Sequence, residues 1–248
     1  MTIPEDYINI PDNHEDIPNE YNNKPLLKKY SYYNKDNGIV GCVGCYGSLE
    51  KNRRVLFFEY EWYISDKKHS GMWHTKKDIR LKKFPLYRLN KLLTRQDSIP
   101  VVIVENERSA NAFSKLGICC VSPVYGFDFV EDTDWTPLDG LKVVYLIASN
   151  DEKGMVFIQD VYTRLIRLQN PPKLKIVTLP DQDDYDDPLD WLQKSFPTLW
   201  QGNKPVSDFL KRDLFLKDSN PDKLLPNVIN DLLNDAEVFT DDFNEEDI

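Results

Sequence analysis

The sequence predicts an α/β fold in which a mostly parallel four-stranded sheet carries helices on both faces, preceded by a small β-rich subdomain. Three observations lead there. Pro100 to Gly117 reads as a short buried strand, an acidic residue where the strand ends, and an amphipathic helix closed by a glycine. Downstream, strand-length apolar runs alternate with stretches at helical step, the pattern of parallel strands joined by right-handed crossovers. Upstream, Leu26 to Tyr63 is rich in aromatic and β-branched residues and broken by turn sequences, the pattern of antiparallel strands.

Taken in order, residues 1–23 carry Pro4, Pro11 and Pro18 without a clear period and are expected to form an extended or disordered arm. Residues 24–99 form the β-rich subdomain and a basic linker. Its strands are expected near Leu27 to Tyr33, Ile39 to Tyr46 and Val55 to Tyr63, separated by Asn34-Lys-Asp-Asn-Gly38 and Gly47-Ser-Leu-Glu-Lys-Asn52. From residue 64 the chain reads as a basic loop followed by a helix over Leu86 to Leu93.

Residues 100–197 hold the α/β unit. Val101 to Val104, apolar and β-branched throughout, suits a strand covered on both faces. Ala110, Phe113 and Leu116 share one helical stripe, and Gly117 can adopt the left-handed C-terminal position. Further strands are expected at Ile118 to Val121, Leu141 to Ile147 and Leu174 to Leu179. Helices are expected through Met155, Ile158, Tyr162 and Leu165, and over Pro188 to Phe196. Residues 198–233 predict a helical extension, around Val206 to Phe215 and Leu224 to Leu233. Residues 234–248 predict a frayed acidic tail.

Charge and cysteine usage narrow the class. A net charge of -10 argues against a surface that coats nucleic acid generally, but the charge is uneven. Residues 51–95 hold 13 Lys/Arg against 4 Asp/Glu, whereas residues 181–248 hold 6 against 18, so one end suits phosphate and the other repels it. Four cysteines are too few for a disulfide scaffold and fit a reducing compartment. No apolar run approaches bilayer length and the N-terminus lacks signal-peptide character, so a cytoplasmic protein without membrane contact is expected. Cys42-Val-Gly-Cys45 has zinc spacing but no second ligand pair follows, and His69 and His74 read as solvent-facing. No phosphate loop of the Gly-x-x-x-x-Gly-Lys-Ser/Thr type occurs, nor a Gly-x-Ser-x-Gly elbow.

In an open parallel sheet the carboxyl ends of the strands share one edge, where ligands bind. That edge collects Glu105, the Ser149-Asn150-Asp151 turn and the acidic loop Asp181 to Asp190, a layout for a divalent metal with hard oxygen ligands. The basic residues Lys67, Lys68, Lys76, Lys77, Arg80, Lys82, Lys83, Arg88, Lys91 and Arg95 interleave with Trp62, Trp73, Phe84 and Tyr87. This composition suits backbone phosphates and stacked bases, although charge runs are more often simply solvated.

The order Ile103-Val-Glu-Asn-Glu-Arg108, Ala148-Ser-Asn-Asp-Glu-Lys-Gly154 and Asp187-Pro-Leu-Asp-Trp-Leu192 resembles the Toprim domain (Rossmann-like) of phage and plasmid DNA primases. That family shows Val-Glu-Gly-Glu-Lys, Pro-Asp-Asn-Asp-Glu-Pro-Gly and a late Asp-x-x-Asp-Trp-Leu. Phe84-Pro-Leu-Tyr-Arg-Leu89 is similar to the segment preceding Toprim in those proteins. The resemblance covers Phe84 to Leu192 and extends back to Tyr30.

It implies that Glu105 is the acid/base or metal-coordinating glutamate and Asp151 the second aspartate of the Asp-x-Asp pair. Ser149 stands at the degenerate first position, and Asp187 is a further candidate ligand. Lys76, Lys77, Arg80, Lys82, Lys83, Arg88 and Arg108 are the implied nucleic-acid contacts. At about 4 Å and an effective dielectric near 20, a unit charge pair is worth on the order of 4 kcal/mol, which a neutral hydroxyl at 149 does not supply. Asn106 replaces the family's glycine; it tolerates a left-handed turn but adds bulk.

The implied function is Mg2+- or Mn2+-dependent nucleotidyl transfer on single-stranded DNA, in replication of a phage, plasmid or other mobile element. The implied partners are DNA, nucleotides and replication proteins such as a separate helicase. Two alternatives stand beside it: a catalytically degenerate Toprim serving as a DNA- or protein-binding module, favoured by Ser149, and a Toprim nuclease.

Overall fold

In a computed structural model, which describes residues 7–9, 17–48, 52–64, 67–74, 83–124, 126–183, 187–195, 200–201, 204–205 and 227–239, two sheets meet across one helix. The first contains β1 (Tyr7–Asn9), β2 (Glu20–Tyr21), β3 (Lys24–Tyr33), β4 (Ile39–Gly47), β5 (Asn52–Ile64) and β6 (Lys67–His74). They pair antiparallel in the order β1-β6-β5-β4-β3-β2. The β3–β4 turn is built by Asn34, whose Oδ1 accepts from the backbone N–H of Asp36 at 3.0 Å and of Gly38 at 2.8 Å.

The three expected antiparallel strands are present as β3, β4 and β5, and the sheet is larger than expected. The stretch expected as an arm supplies β1 and β2, and the start of the basic loop pairs as β6. Lys67-Lys-His-Ser-Gly-Met-Trp-His74 lacks the apolar/polar alternation of a half-buried strand, so its pairing is decided by its neighbours β5 and β1.

The second unit contains α1 (Leu89–Leu93), β7 (Val101–Val104), α2 (Glu107–Ser114), β8 (Cys119–Val121), β9 (Val143–Ile147), α3 (Glu152–Leu165), β10 (Lys173–Ile176), α4 (Pro188–Ser195), β11 (Trp200–Gln201), β12 (Lys204–Pro205), α5 (Asn227–Asp235) and β13 (Glu237–Val238). Its sheet order is β13-β10-β9-β7-β8, while β11 and β12 form a separate pair. The four strands β7 to β10 are parallel, as predicted. A fifth, β13, joins antiparallel to β10 from the region expected to be a frayed tail.

Helix α1 is shorter than the expected Leu86 to Leu93. The Tyr87 N–H is committed to the Ser122 carbonyl at 2.8 Å, and Arg88 then turns left-handed at φ 64°. The helix expected over Val206 to Phe215 lies outside the described residues, as do 224–226 and 240–248; α5 corresponds to the second expected helix.

Strand β7 alternates between the two cores. Val102 and Val104 face α2, together with Ala110, Phe113, Leu189, Trp191 and, from the antiparallel sheet, Tyr30, Tyr32 and Val43. Val101 and Ile103 face Leu89 and Leu92 of α1 and Phe157, Ile158 and Val161 of α3. The antiparallel sheet therefore docks on the α2 side, where the rings of Tyr30 and Tyr32 lie 5.7 and 5.3 Å from Tyr87. Cys42 and Cys45, three apart on β4, fall in different clusters on opposite faces.

Phe113 is fully buried in the core that contains residues of both sheets. Phe113→Ala is expected to lower the unfolding free energy by about 3–5 kcal/mol in a urea titration.

Candidate active site

Parallel registry brings the motif residues together. Val104 pairs with Ile147, so the chain leaves β7 at Glu105 and β9 at Ala148-Ser149 side by side. Each strand then enters a helix through a polar cap. Asn106 Oδ1 accepts from Ser109 N–H at 2.9 Å at the start of α2, and Asp151 Oδ1 accepts from Gly154 N–H at 2.8 Å at the start of α3. Asn106 is extended, with φ -149°, so no left-handed conformation is used there. Its gain over glycine is the cap.

Ser149 ties the two acids into one hydrogen-bonded chain. Its N–H and its hydroxyl reach Glu105 Oε1 at 2.9 and 2.8 Å, and the same Oγ lies 2.9 Å from Asp151 Oδ1. A hydroxyl has one hydrogen, so it donates to only one carboxylate at a time; a proton on either acid completes both contacts. Gly154 makes this turn possible, because a Cβ there would lie 2.0 Å from the Ser149 carbonyl oxygen.

Glu105 is 9% exposed. Burial pushes its carboxyl above the ordinary range; the two Ser149 hydrogen bonds oppose that rise, and the charges of Asp187 and Asp151 add to it.

The remaining predicted residues fall in several places. Asp187 is close enough to act on Glu105 electrostatically, yet both its oxygens are engaged: Oδ1 accepts from Leu189 and Asp190 N–H at 2.8 and 2.9 Å, and Oδ2 from Arg108 at 2.7 Å. Arg108 also reaches Asp190 at 3.2 Å, so its charge is shared between two carboxylates. Arg88 donates to Asn111 Oδ1 at 3.2 Å, and Lys83 to the Glu131 carbonyl at 2.5 Å. Lys76, Lys77, Arg80 and Lys82 lie outside the described residues. In the acidic loop, Asp183 pairs with Lys194 at 2.7 Å, and the Gln182 carbonyl accepts from Asn150 at 3.2 Å.

Magnesium is ordinarily held by one or two carboxylates together with substrate phosphates and waters. Glu105 and Asp151 fit that mode, since Glu105 Oε2 and Asp151 Oδ2 take no part in the Ser149 contacts. A dedicated protein cage is a different matter: no group of three or more His, Cys, Asp or Glu placed to hold a metal occurs among the described residues. The arrangement suits an ion that arrives with phosphate.

Sequence reasoning missed Glu107, Arg54 and Tyr32. Glu107 is 1% exposed, accepts from Arg54 Nη2 at 2.6 Å on Oε1, and also accepts from the Tyr32 hydroxyl. Glu107 was visible beside Glu105, but nothing local marks Arg54, 53 positions upstream, as its partner.

Because the folded state holds the Glu105 proton above the pH at which the unfolded chain releases it, stability falls as pH rises through the window between the two pKa values. Glu105→Gln removes that penalty. The variant is expected to unfold at a higher temperature than wild type at about pH 8, with the gain vanishing towards about pH 4, where unfolded glutamate is itself protonated. Gly154→Ala is expected to destabilise by about 1–3 kcal/mol in the same melts, through overpacking against Ser149.

No protein-family model matches the sequence, and no curated protein matches it. Among solved structures the chain is similar to the Aquifex aeolicus primase (zinc-binding and RNA polymerase domains), at 13% identity over 87% of this chain and 41% of that one, TM-score 0.44. It is similar to the DnaG catalytic core at 15% identity over 76% and 52%, TM-score 0.40. It is also similar to a DNA primase domain from Pseudomonas aeruginosa at 14% identity over 77% and 61%, TM-score 0.35. The chain spans about 41 to 61% of the length of these three structures. No helix among the described residues is long and apolar enough to cross a membrane.

Proposed function

We propose that this chain is a primase-type Toprim protein that joins nucleotides on single-stranded DNA during replication of a phage, plasmid or other mobile element. The observation that carries the reading is the convergence of Glu105 and Asp151 on Ser149 at the carboxyl ends of adjacent parallel strands. Two acids with a common hydrogen-bond partner, one of them buried, match the chemistry of nucleotidyl transfer, in which a hydroxyl must lose a proton while a phosphate is attacked. Burial raises the affinity of Glu105 for protons, the direction that an acceptor for that proton requires. Ser149 holds the acceptor in place, and the α3 N-terminus, capped by Asp151, turns backbone N–H groups towards the same edge. Magnesium or manganese held by Glu105 and Asp151 would supply charge stabilisation at the phosphate. The basic stretch through Lys76, Lys77, Arg80, Lys82, Lys83 and Arg88 would guide the template, with nucleotides as substrates and a separate helicase as a partner.

Ser149 supports a second reading, a degenerate Toprim that binds DNA or protein without transfer. Its hydroxyl occupies the place between the two acids and brings no charge. Primer synthesis on single-stranded DNA, followed with magnesium and with manganese, separates the two. Under the first reading wild type is active and Glu105→Ala loses about 10²–10⁴-fold. If Glu105→Ala leaves both magnesium affinity and nucleotidyl transfer unchanged, the site assignment is wrong. Activity that appears only in Ser149→Asp establishes the second reading.

A further inference from the structure

We infer that Arg54 is a positioning residue for this site, acting from the antiparallel sheet through Glu107 on the backbone that carries Glu105; the inference rests on the functional reading above. Arg54 stands on β5, and its Nη2 contacts both carboxylate oxygens of Glu107, the first residue of α2 and two positions beyond Glu105. The Tyr32 hydroxyl on β3 donates to Glu107 Oε1 as well. The first turn of α2 is thus held by two strands of the other sheet. Asn106 lies between the anchored residue and Glu105, and its side chain is fixed on Ser109, so little slack remains.

A second contact reaches the Glu105 backbone. Gly126, at φ 89°, approaches so closely that a Cβ there would lie 3.3 Å from the Glu105 carbonyl oxygen and 3.6 Å from Arg54 Nη1. Arg54 therefore borders both the anchor and the loop packed against Glu105. Its side chain is 27% exposed and Glu107 1%, which makes the pair an internal brace, whereas a rim cation would be open to solvent. Acid/base groups must be held within a fraction of an ångström of productive geometry, and an error of about 1 Å can cost on the order of 10² in rate.

The test uses the full chain with Arg54→Gln and Arg54→Lys, read by amide hydrogen exchange and by primer synthesis. In Arg54→Gln, exchange at residues 105–109 and 126 should accelerate about tenfold or more while β9 and β10 stay protected, since the anchored turn opens locally. The turnover number should fall by about tenfold or more with KM for single-stranded DNA within about twofold, the signature of lost positioning. Arg54→Lys, which keeps the charge, should recover part of both. Unchanged exchange at 105–109 overturns the inference, and so does acceleration spread over the whole sheet. A raised KM with turnover retained overturns it too, because Arg54 would then be a substrate contact. Should wild type make no primers, the functional reading fails, and the exchange pattern alone decides whether Arg54 holds the Glu105 turn.

Discussion

The parallel pairing of β7 with β9 is the constraint on which the rest of the site depends. With Val104 opposite Ile147, the two strands end level, and the residues that follow them meet before any side chain is chosen. A shift of one residue would turn each strand's inward and outward sets over. Val101 and Ile103 pack in one core and Val102 and Val104 in the other, so β7 is apolar and buried on both faces. The observed register, Val104 opposite Ile147, places the acids.

Around that edge, polar groups are satisfied in a connected order. Asn106 and Asp151 cap the two helices, Ser149 joins Glu105 to Asp151, and the Asp187 carboxylate caps α4 while holding Arg108. The capping duties compete with ligand binding: Asp187 is fully engaged, whereas Glu105 and Asp151 each keep one oxygen outside these contacts. The acids of the sequence therefore separate, once their hydrogen bonds are assigned, into those spent on structure and those that keep an oxygen outside these contacts. Glu107 belongs to the structural group. A buried carboxylate stripped of its cation costs about 3–5 kcal/mol, so the Arg54 pair also binds the two sheets together.

Much of this was legible locally. The Val101 to Val104 run, the helical stripe of Ala110 and Phe113, and the Asn34 to Gly38 turn each predict their element from nearest neighbours in the chain. So does the placement of Glu105 and Asp151 at strand ends. Strand β6 and strand β13 were not legible, since neither short polar segment shows a period and each exists because an unpaired edge lies beside it. The shortened α1 has the same origin, the Tyr87 bridge to Ser122 overriding helical propensity.

By itself, then, the sequence determined the alternation of strands and helices, the acids at the strand ends and the substitution of serine at 149, because these depend on residues within a few positions of each other. Tertiary structure alone decided that Ser149 bridges Glu105 and Asp151, that Asp187 is spent on Arg108 and a cap, and that Arg54 braces Glu107. The Ser149–Glu105, Asp187–Arg108 and Arg54–Glu107 contacts join segments far apart in the chain, and their partners are selected by register and burial, which no local pattern encodes.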